Sequence, residues 1–356
     1  MDAKLRQSLD TAVTAKWGKE TAITQVVPLT GDASSRNYAR LHLSGNGPAS
    51  TVAMILAGSA LPLSSDELAV FKEPLKELPY LNVYRFLKSL GVTVPETYYD
   101  GSKEGFLLLE DIGDVPLREA AHRLPAASIE TLYKQAIDQL VRLQVEGTRR
   151  SDQSCIAFQQ VFDHRLFMWE FEHFIEWGLE KRPGSVVNAN MTGQLRKSFA
   201  AIAELLDRQT PCLNHRDYHS WNLMIQNEAV RVIDFQDALM APPQYDLASL
   251  LNDRVTDSVI RPALEERLVR YYIERRGELE KRKISADKFW EIYRLSAIQR
   301  DLKVVGRFYY LDLVKGKPGY MKFVPPTARR LERNLANVAQ TQPVLELLRE
   351  HFEAMR

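Results

Sequence analysis

The chain has 356 residues, which is enough for two domains or for one two-lobed unit with a large core. Its 47 Lys and Arg residues balance 46 Asp and Glu residues, and apolar residues make up 45% of the composition. This usage is typical of a globular protein and argues against disorder. A net charge of +1 gives no support for a nucleic-acid or membrane-surface partner.

The cysteines and the apolar runs indicate the compartment. Cys155 and Cys212 are too few for a disulfide framework or a four-cysteine zinc site. No secretory hydrophobic region follows Met1, and no apolar run approaches the roughly 18 residues of a membrane helix. We therefore expect a cytoplasmic protein with reduced thiols and no membrane partner.

In chain order, the first third of the sequence predicts a helix and then short strands. Residues 2–17 have a polar helical pattern, and the segments 23–29, 36–43 and 51–56 are β-prone and separated by turn-forming residues. This pattern predicts a meander of antiparallel strands. The next helix is predicted by the spacing of Leu81, Tyr84, Leu87 and Leu90.

The remaining elements predict two unequal lobes. The continuous apolar run at 105–109 is expected of a strand that is buried on both faces, and helical patterns dominate after Gly113. Strand-like segments return in three places, 212–215, 223–226 and 230–235. We predict an α+β protein with a small antiparallel β-rich lobe at 1–112 and a large, mainly helical lobe at 113–356. A cleft between two such lobes is a natural ligand site.

The most informative motif is HRDYHSWN at residues 215–222, which fits the kinase catalytic-loop pattern H-R-D-x-x-x-x-N. In this pattern the carboxylate of Asp217 accepts or orients the proton of the attacking hydroxyl, and Asn222 supplies an oxygen to Mg²⁺. Asp234 follows Asn222 by 12 residues and ends an apolar strand, where a carboxylate can hold the metal that bridges nucleotide phosphates. Each feature alone indicates a turn or a strand end. Together, in this order, they predict a phosphotransferase.

Three segments resemble the aminoglycoside phosphotransferase and choline kinase family, whose fold is protein-kinase-like. They are LNHRDYHSWNLM (213–224), VIDFQDA (232–238) and PPQYDLASLL (242–251). The resemblance implies ATP and Mg²⁺ as cofactors, Asp217 as the catalytic base, and Asn222 and Asp234 as Mg²⁺ ligands. It also implies that Asp246, together with His215, supports the catalytic loop.

Further segments resemble the branch of this family that contains the N-acetylmuramate/N-acetylglucosamine anomeric kinases. They are GDASSRNYARL (31–41), FLLLEDIGD (106–114), FDHRLFMWEFEHFIEW (162–177) and IQRDLKVVGRF (298–308). These segments span both predicted lobes. The resemblance implies a small-molecule hydroxyl acceptor, an amino sugar, that is phosphorylated at its anomeric hydroxyl.

The nucleotide is expected to contact the β-rich lobe. Ser34 and Ser35 lie in a turn between the first two strands, where N–H groups and hydroxyls can touch phosphate oxygens. A kinase third strand normally carries a Lys, but Met54 stands near that position. Arg36 and Arg40 are an even number of residues apart on one strand, and either is a candidate to replace the missing cation.

The predicted lobe hinge is the segment 106–110. Backbone N–H and C=O groups there can contact the adenine edge without any particular side chain, so Leu108 and Glu110 are candidate nucleotide contacts. On the acceptor side, Arg300 and Lys303 lie three residues apart on a predicted helix and therefore share one face. This face is expected either to bind an anionic substrate group or to be solvated. Further candidates on the substrate side are Trp169, Glu170 and Glu172.

Two alternatives to an amino-sugar kinase remain open. One is a kinase of another small hydroxyl compound, such as an aminoglycoside or an amino alcohol. A polycationic aminoglycoside requires an acidic acceptor site, which the basic pair on the helix disfavours. The other alternative is a nucleotide-binding pseudokinase that regulates a partner. The missing Lys favours a pseudokinase, whereas the intact Asp217, Asn222 and Asp234 oppose it.

Overall fold

The structure is a computed structural model that describes residues 2–29, 37–56, 77–254 and 258–355. The predicted phosphate contacts Ser34, Ser35 and Arg36 lie outside these residues. The described residues form a β-rich part followed by a mainly helical part, in the order that the sequence predicts.

The β-rich part is one antiparallel sheet with a helix before it and a helix inserted in it. Its elements are α1 (Ala3–Trp17), β1 (Ala22–Leu29), β2 (Asn37–Ser44), β3 (Ser50–Ile55), α2 (Pro79–Ser89), β4 (Thr97–Gly101) and β5 (Phe106–Glu110). The strand order is β1-β2-β3-β5-β4, and every neighbouring pair is antiparallel. Gly45 turns the chain between β2 and β3 with a φ of 91°, and a Cβ there would lie 2.3 Å from the carbonyl oxygen of Glu20.

Strand β5 is buried on both faces, as its apolar run predicts. Because successive side chains of a strand point to opposite faces, Phe106 and Leu108 pack towards α1 while Leu107 and Leu109 join the larger core on the other side. The strand therefore joins two hydrophobic clusters and holds the sheet against the helical part.

The helical part carries two short pairs of strands among its helices. Its elements are α3 (Leu117–Arg123), α4 (Ala126–Arg149), α5 (His164–His173), α6 (Ala189–Asp207), β6 (Cys212–Asn214), β7 (Leu223–Gln226), β8 (Ala229–Val232), β9 (Leu239–Ala241), α7 (Gln244–Leu251), α8 (Pro262–Glu280), α9 (Ala286–Leu313), α10 (Val324–Ala336) and α11 (Gln342–His351). A wider helical segment, Phe174–Glu180, continues α5. Strand β6 pairs with β9, and β7 pairs with β8.

The two strand pairs depart from the sequence prediction in two places. Strand β8 ends at Val232 instead of continuing to Phe235, because the N–H of Ile233 bonds the carbonyl of Asn222 and the chain then leaves the ladder. Strand β9 was not predicted, since three residues are too short for a period-2 pattern to emerge. The β7–β8 hairpin turns at two residues of positive φ, as a type I′ turn requires.

Two large clusters form the core of the helical part. One packs α2 and the sheet against α4, α7 and α8, and the other gathers residues of α5, α6, α9, α10 and α11. Cys155 and Cys212 are buried, free thiols. Within the described ranges, none of the helices combines the length and the apolar character needed to cross a membrane.

Candidate active site

A cleft of about 1190 Å³ lies between the sheet and the helical part. Its sheet wall includes Arg40, Met54 and Leu109, and Trp169 and Glu170 of α5 line its helical wall. Trp169 and Glu170 are candidates from the sequence, and five further residues predicted to act in chemistry or substrate binding line the same cleft, namely Asp217, Asn222, Asp234, Arg300 and Lys303. Residues separated by more than 80 positions in the chain are thus brought to one site.

Hydrogen bonds from the protein interior hold the catalytic-loop motif, which connects β6 to β7. Both side-chain oxygens of Asp246, on α7, accept backbone N–H groups, that of His215 at 2.5 Å and that of Arg216 at 3.0 Å. The ring nitrogen Nε2 of His215 lies 2.9 Å from the carbonyl oxygen of Ile233. These contacts fix the loop against α7 and against the segment that leads into Asp234.

Asp246 and Arg216 show that this part of the site is held under constraint. Asp246 is fully buried, and burial raises its pKa to about 7 even though the two backbone N–H groups act in the opposite direction. Arg216 has a φ of 79°, which non-glycine residues rarely adopt. Such a conformation persists where the surroundings fix the backbone, and the contact to Asp246 does so here.

The carboxyl group of Asp217 is half-buried in the cleft wall. Burial alone raises its pKa, but the neighbouring positive charges, of which Lys303 has the largest effect, hold the pKa well below the usual range. Arg216 and Arg300 act in the same direction. The carboxylate is therefore ionised at neutral pH and can accept a hydrogen bond from a hydroxyl group.

Backbone contacts bring Asn222 and Asp234 together. The N–H of Ile233 donates to the carbonyl oxygen of Asn222 at 3.0 Å, so the two loops meet one residue before Asp234. The side-chain nitrogen of Asn222 donates to the carbonyl oxygen of Asp217 at 3.0 Å, which leaves the amide oxygen as the atom suited to a cation. Asp234 has a φ of 62°, and its Oδ1 accepts a hydrogen bond from Nε2 of Gln236 at 2.9 Å.

The donor set of Asn222 and Asp234 fits Mg²⁺. Carboxylate and amide oxygens are hard ligands, and Mg²⁺ typically binds one or two of them together with phosphate oxygens and water. In the part of the chain that the structure describes, no group of three or more His, Cys, Asp or Glu residues could hold a metal ion. Two protein ligands suit a metal whose remaining ligands are phosphate oxygens and water.

The structure corrects the predicted position of Leu108. This residue lies inside β5, with Ala53 and Tyr99 as strand partners on its two sides and its own side chain packed towards α1. It is absent from the cleft wall, which is formed by the segment 109–114 that follows. The apolar run is the central strand itself, and the connection between the two parts comes after it.

Glu110 stands at the start of this connection and lines the cleft. Its carboxylate forms an ion pair with Arg231 of β8 and accepts the N–H of Glu96 at 3.0 Å. The side chain thus joins the sheet to the helical part. A contact to a nucleotide base would therefore involve the backbone of the segment 109–114.

Arg40 lies on the sheet wall and is held by two carboxylates. Its guanidinium lies 2.6 Å from Asp111 and 2.8 Å from Asp114, and Asp111 also accepts a hydrogen bond from Ser50 at 2.6 Å. Both carboxylates raise the pKa of Arg40. A phosphate group would have to compete with these two partners for Arg40. Met54 lines the cleft on the neighbouring strand β3, at the position where a kinase third strand normally carries a Lys.

Helix α9 contributes Arg300 and Lys303 to the helical wall of the cleft. Arg300 is 5% exposed, and it makes no hydrogen bond or ion pair with any residue that the structure describes. The Nζ of Lys303 lies 2.7 Å from Oε1 of Glu170, which is fully buried on α5. The alternative of a solvated basic face is therefore wrong for both residues, because they belong to the wall of the cleft.

Two further residues of this wall were not predicted. Arg307 follows Arg300 by seven residues on α9 and lines the cleft, so helical spacing could have revealed it. His173 of α5 also lines the cleft, and burial lowers its pKa to about 4, which keeps the ring neutral at physiological pH.

An aromatic residue of the catalytic-loop motif adds a third unpredicted feature. The guanidinium carbons of Arg118 and Arg254 lie 3.3 and 3.9 Å from the ring centroid of Trp221. All three residues line the cleft. Nothing in the sequence distinguishes these arginines from surface arginines, because the contact depends on how α3 and the segment after α7 fold around the loop.

Comparison with known proteins identifies the family. The sequence model of the phosphotransferase enzyme family matches residues 25–283, and the chain belongs to this family. It is similar to an N-acetylmuramate/N-acetylglucosamine kinase of Pseudomonas aeruginosa, with 29% identity over 344 residues that cover 93% of this chain and 90% of the relative. A protein of the same name from Neisseria meningitidis serogroup B is 28% identical over 276 residues, which cover 76% of this chain and 79% of the relative.

Solved structures share the fold. An ADP-bound aminoglycoside phosphotransferase, APH(2'')-Ib, superposes with a TM-score of 0.59 at 17% identity, covering 98% of this chain and 99% of that protein. The choline kinase LicA from Streptococcus pneumoniae gives a TM-score of 0.58 at 16% identity, covering 94% of this chain and 99% of that protein. The predictions of family, fold class and phosphotransferase activity are therefore confirmed.

Proposed function

We propose that the protein is an ATP- and Mg²⁺-dependent kinase that phosphorylates the anomeric hydroxyl of an N-acetylated amino sugar. The observation that carries the proposal is the meeting of Asp217, Asn222 and Asp234 in one cleft, on two loops that hydrogen bonds join. The names of the curated relatives support the substrate class, and the ADP-bound structural neighbour supports a nucleotide as the phosphoryl donor.

In the proposed reaction the acceptor oxygen attacks the γ-phosphorus of ATP in line with the leaving group. The new bond joins the sugar oxygen to phosphorus, the bond to the bridging oxygen breaks, and its electron pair leaves with ADP. Asp217 orients the hydroxyl and takes its proton. No covalent enzyme intermediate is needed, because positioning and charge stabilisation supply the catalysis.

The proposed metal ligands are the amide oxygen of Asn222 and the carboxylate of Asp234. A bound Mg²⁺ neutralises charge on the nucleotide phosphates. Asp246 and His215 would keep this arrangement in place, because their contacts fix the backbone on both sides of the loop.

The acceptor side favours an anionic or neutral sugar over a polycation. Arg300 and Lys303 place positive charge beside Asp217, which would repel an aminoglycoside. N-acetylmuramate carries a lactyl carboxylate, and Arg300 can bind it because no described protein group occupies its guanidinium. The anomeric hydroxyl is also the most acidic hydroxyl of a reducing sugar, so a single carboxylate base suits it.

The test is product identification by ³¹P NMR with ATP and Mg²⁺ and a panel of acceptors. N-acetylmuramate and N-acetylglucosamine should give 1-phosphates, whereas kanamycin and choline should give no product. Asp217→Asn should lower kcat by about 10²–10⁴-fold with little change in nucleotide affinity. Asp287→Asn, an exposed change of the same kind on α9, is the matched control.

Two outcomes would contradict the proposal. Turnover of an aminoglycoside or an amino alcohol, with no sugar phosphate, would replace the substrate class and keep the kinase. ATP binding without turnover of any acceptor would favour the pseudokinase alternative, for which the missing strand Lys is the observation in favour.

A further inference from the structure

Within the described residues, the sheet wall of the cleft offers no positive charge that is free of a carboxylate partner. Among the described strand residues that line it, Arg40 is the one that carries positive charge, and two carboxylates already bind it. Met54 occupies the third-strand position. Transfer of a phosphoryl group nevertheless requires positive charge near the reacting centre, because negative charge spreads over its oxygens.

A buried ion pair on the opposite wall places a cation in the same cleft as Asp217. Glu170 is fully buried on α5, and its two oxygens have separate partners, Nζ of Lys303 at 2.7 Å and Nε2 of Gln299 at 2.7 Å. Lys303 is 20% exposed and lines the cleft together with Asp217. The ammonium group is therefore fixed from behind by Glu170 while its open side faces the cleft.

The packing of α9 against the end of α5 brings the two residues of this pair together. Gly306, one turn after Lys303, lies so close to the segment after α5 that a Cβ there would be 2.8 Å from the Cα of Phe174. This close approach holds α9 against the end of α5. Helix packing thus brings the backbone of Lys303 close enough to α5 for its side chain to reach Glu170.

We propose that Lys303 supplies the positive charge that stabilises the phosphoryl group during its transfer at Asp217, and that Glu170 is its positioning residue. The proposal rests on the phosphotransfer reaction proposed above. It changes the expected role of Lys303 from binding an acceptor carboxylate to acting on the reacting phosphoryl group, and it leaves Arg300 as the candidate for the acceptor.

The electrostatic surroundings agree with this role. Burial disfavours the charged ammonium of Lys303, but its pKa is raised because acidic groups around it outweigh burial. The groups that act on it are Glu170, Tyr245, Asp217 and Arg216. Lys303 in turn has the largest effect of any neighbouring charge on the pKa of Asp217.

The decisive experiment measures kcat and KM of Lys303→Met and Lys303→Arg with N-acetylmuramate and with N-acetylglucosamine. Lys303→Met should lower kcat by about 10²–10³-fold for both sugars alike, as removal of a preorganised donor does. The acceptor KM should change little, and Lys303→Arg should recover part of the rate. An effect confined to N-acetylmuramate, or a kcat close to wild type, would overturn the proposal.

Glu170→Gln tests the positioning role. It should lower kcat by about tenfold and shift the alkaline limb of the kcat profile to lower pH, because the pKa of Lys303 falls when its main acidic partner is lost. Loss of thermal stability with an unchanged kcat and pH profile would show that Glu170 is only a structural residue, and it would overturn the proposed positioning role.

A matched control lies on the same helix. Asp301 pairs with Arg330 at 2.6 Å, both side chains are buried, and neither lines the cleft. Asp301→Asn should lower the melting temperature and leave kcat and its pH profile unchanged. If Asp217→Asn is inactive while Lys303→Met is fully active, the proposed reaction stands and only the role of Lys303 fails.

Discussion

Two arginines on opposite walls of the cleft differ in how their charge is balanced. Arg40, on the sheet wall, lies within 2.8 Å of the carboxylates of Asp111 and Asp114. Arg300, on the helical wall, is 5% exposed and has no hydrogen-bond or ion-pair partner among the residues from 2 to 355 that the structure describes. The guanidinium of Arg40 is paired within the protein, whereas that of Arg300 is available to bind a ligand.

The difference has an energetic meaning. A buried charge without a partner costs free energy, whereas a paired arginine ties two segments together. Sites that bind charged ligands keep such unfavourable groups because the ligand supplies the missing partner. We therefore expect changes on the helical wall to affect turnover more than stability, and changes on the sheet wall to do the reverse.

The largest effect is expected from Asp234→Asn on the helical wall. Loss of the carboxylate should weaken Mg²⁺-dependent ATP binding and lower kcat by about 10³-fold or more, since several kcal/mol of charge stabilisation are lost. The melting temperature should stay close to that of the wild type. Calorimetry of MgATP binding checks this, and an unchanged affinity would remove Asp234 from the metal site.

Arg300→Ala should act on one acceptor only. A charge-assisted hydrogen bond contributes roughly 1.5–3 kcal/mol, so kcat/KM for N-acetylmuramate should fall about 10- to 150-fold. N-acetylglucosamine lacks the carboxylate and should be much less affected. Thermal unfolding should show little change in stability, because the substitution removes no hydrogen bond or ion pair with a described residue and only an attraction to Asp217.

The control for this prediction is Arg294→Ala, on the same helix but outside the cleft wall. It should leave both sugars unaffected. An equal loss with both sugars in Arg300→Ala would show that Arg300 does not act on the lactyl carboxylate. A clear loss of stability would contradict the idea that its charge is unbalanced.

Asp246→Asn tests a buried carboxylate that accepts hydrogen bonds from the backbone of the catalytic-loop motif. Asn can accept only one of the two backbone N–H groups of His215 and Arg216, so the free energy of unfolding should fall by about 1–3 kcal/mol. The loop should lose alignment, and kcat should fall by about tenfold or more.

The pH dependence of stability gives this variant a distinct signature. Burial raises the pKa of Asp246 to about 7, above its value in the unfolded chain. The folded state then holds the proton more tightly, so the stability from this group is full below the unfolded pKa and declines as pH rises towards 7. The stability gap between wild type and Asp246→Asn should be larger at about pH 4.5 than at about pH 7.5. A gap that widens with pH would contradict the raised pKa.

The sequence predicted which residues of one local motif lie together, but it did not predict contacts between distant segments. The pattern from His215 to Asn222 and the position of Asp234 depend on spacing along one hairpin, and the structure brings these residues to one cleft. The pairing of Lys303 with Glu170 joins residues 133 positions apart through helix packing, and no spacing rule reveals it. Leu108 was misplaced because an apolar run identifies a buried strand but not the connection that follows it.

The interpretation of Arg40 also depends on a contact between segments that are distant in the sequence. Its place on β2 was predicted from strand periodicity, but Asp111 and Asp114 reach it from the segment after β5, which is adjacent only in the folded sheet. From the sequence, Arg40 was a candidate phosphate ligand. With both carboxylates in place it ties β2 to the cleft-lining segment 111–114.

The smallest effect on turnover is therefore expected from Arg40→Ala. The change removes a half-buried ion pair and should lower the free energy of unfolding by about 1–3 kcal/mol. It should leave kcat within about threefold of wild type and raise the KM for ATP only modestly, through a looser segment 111–114. Urea unfolding and steady-state kinetics measure the two quantities separately.

The control for this prediction is Arg270→Ala, which removes an exposed pair on α8 and should change stability by less than about 0.5 kcal/mol. If Arg40→Ala instead raises the KM for ATP more than tenfold at unchanged stability, Arg40 leaves its carboxylates to bind phosphate, and the two walls do not differ as their contacts indicate.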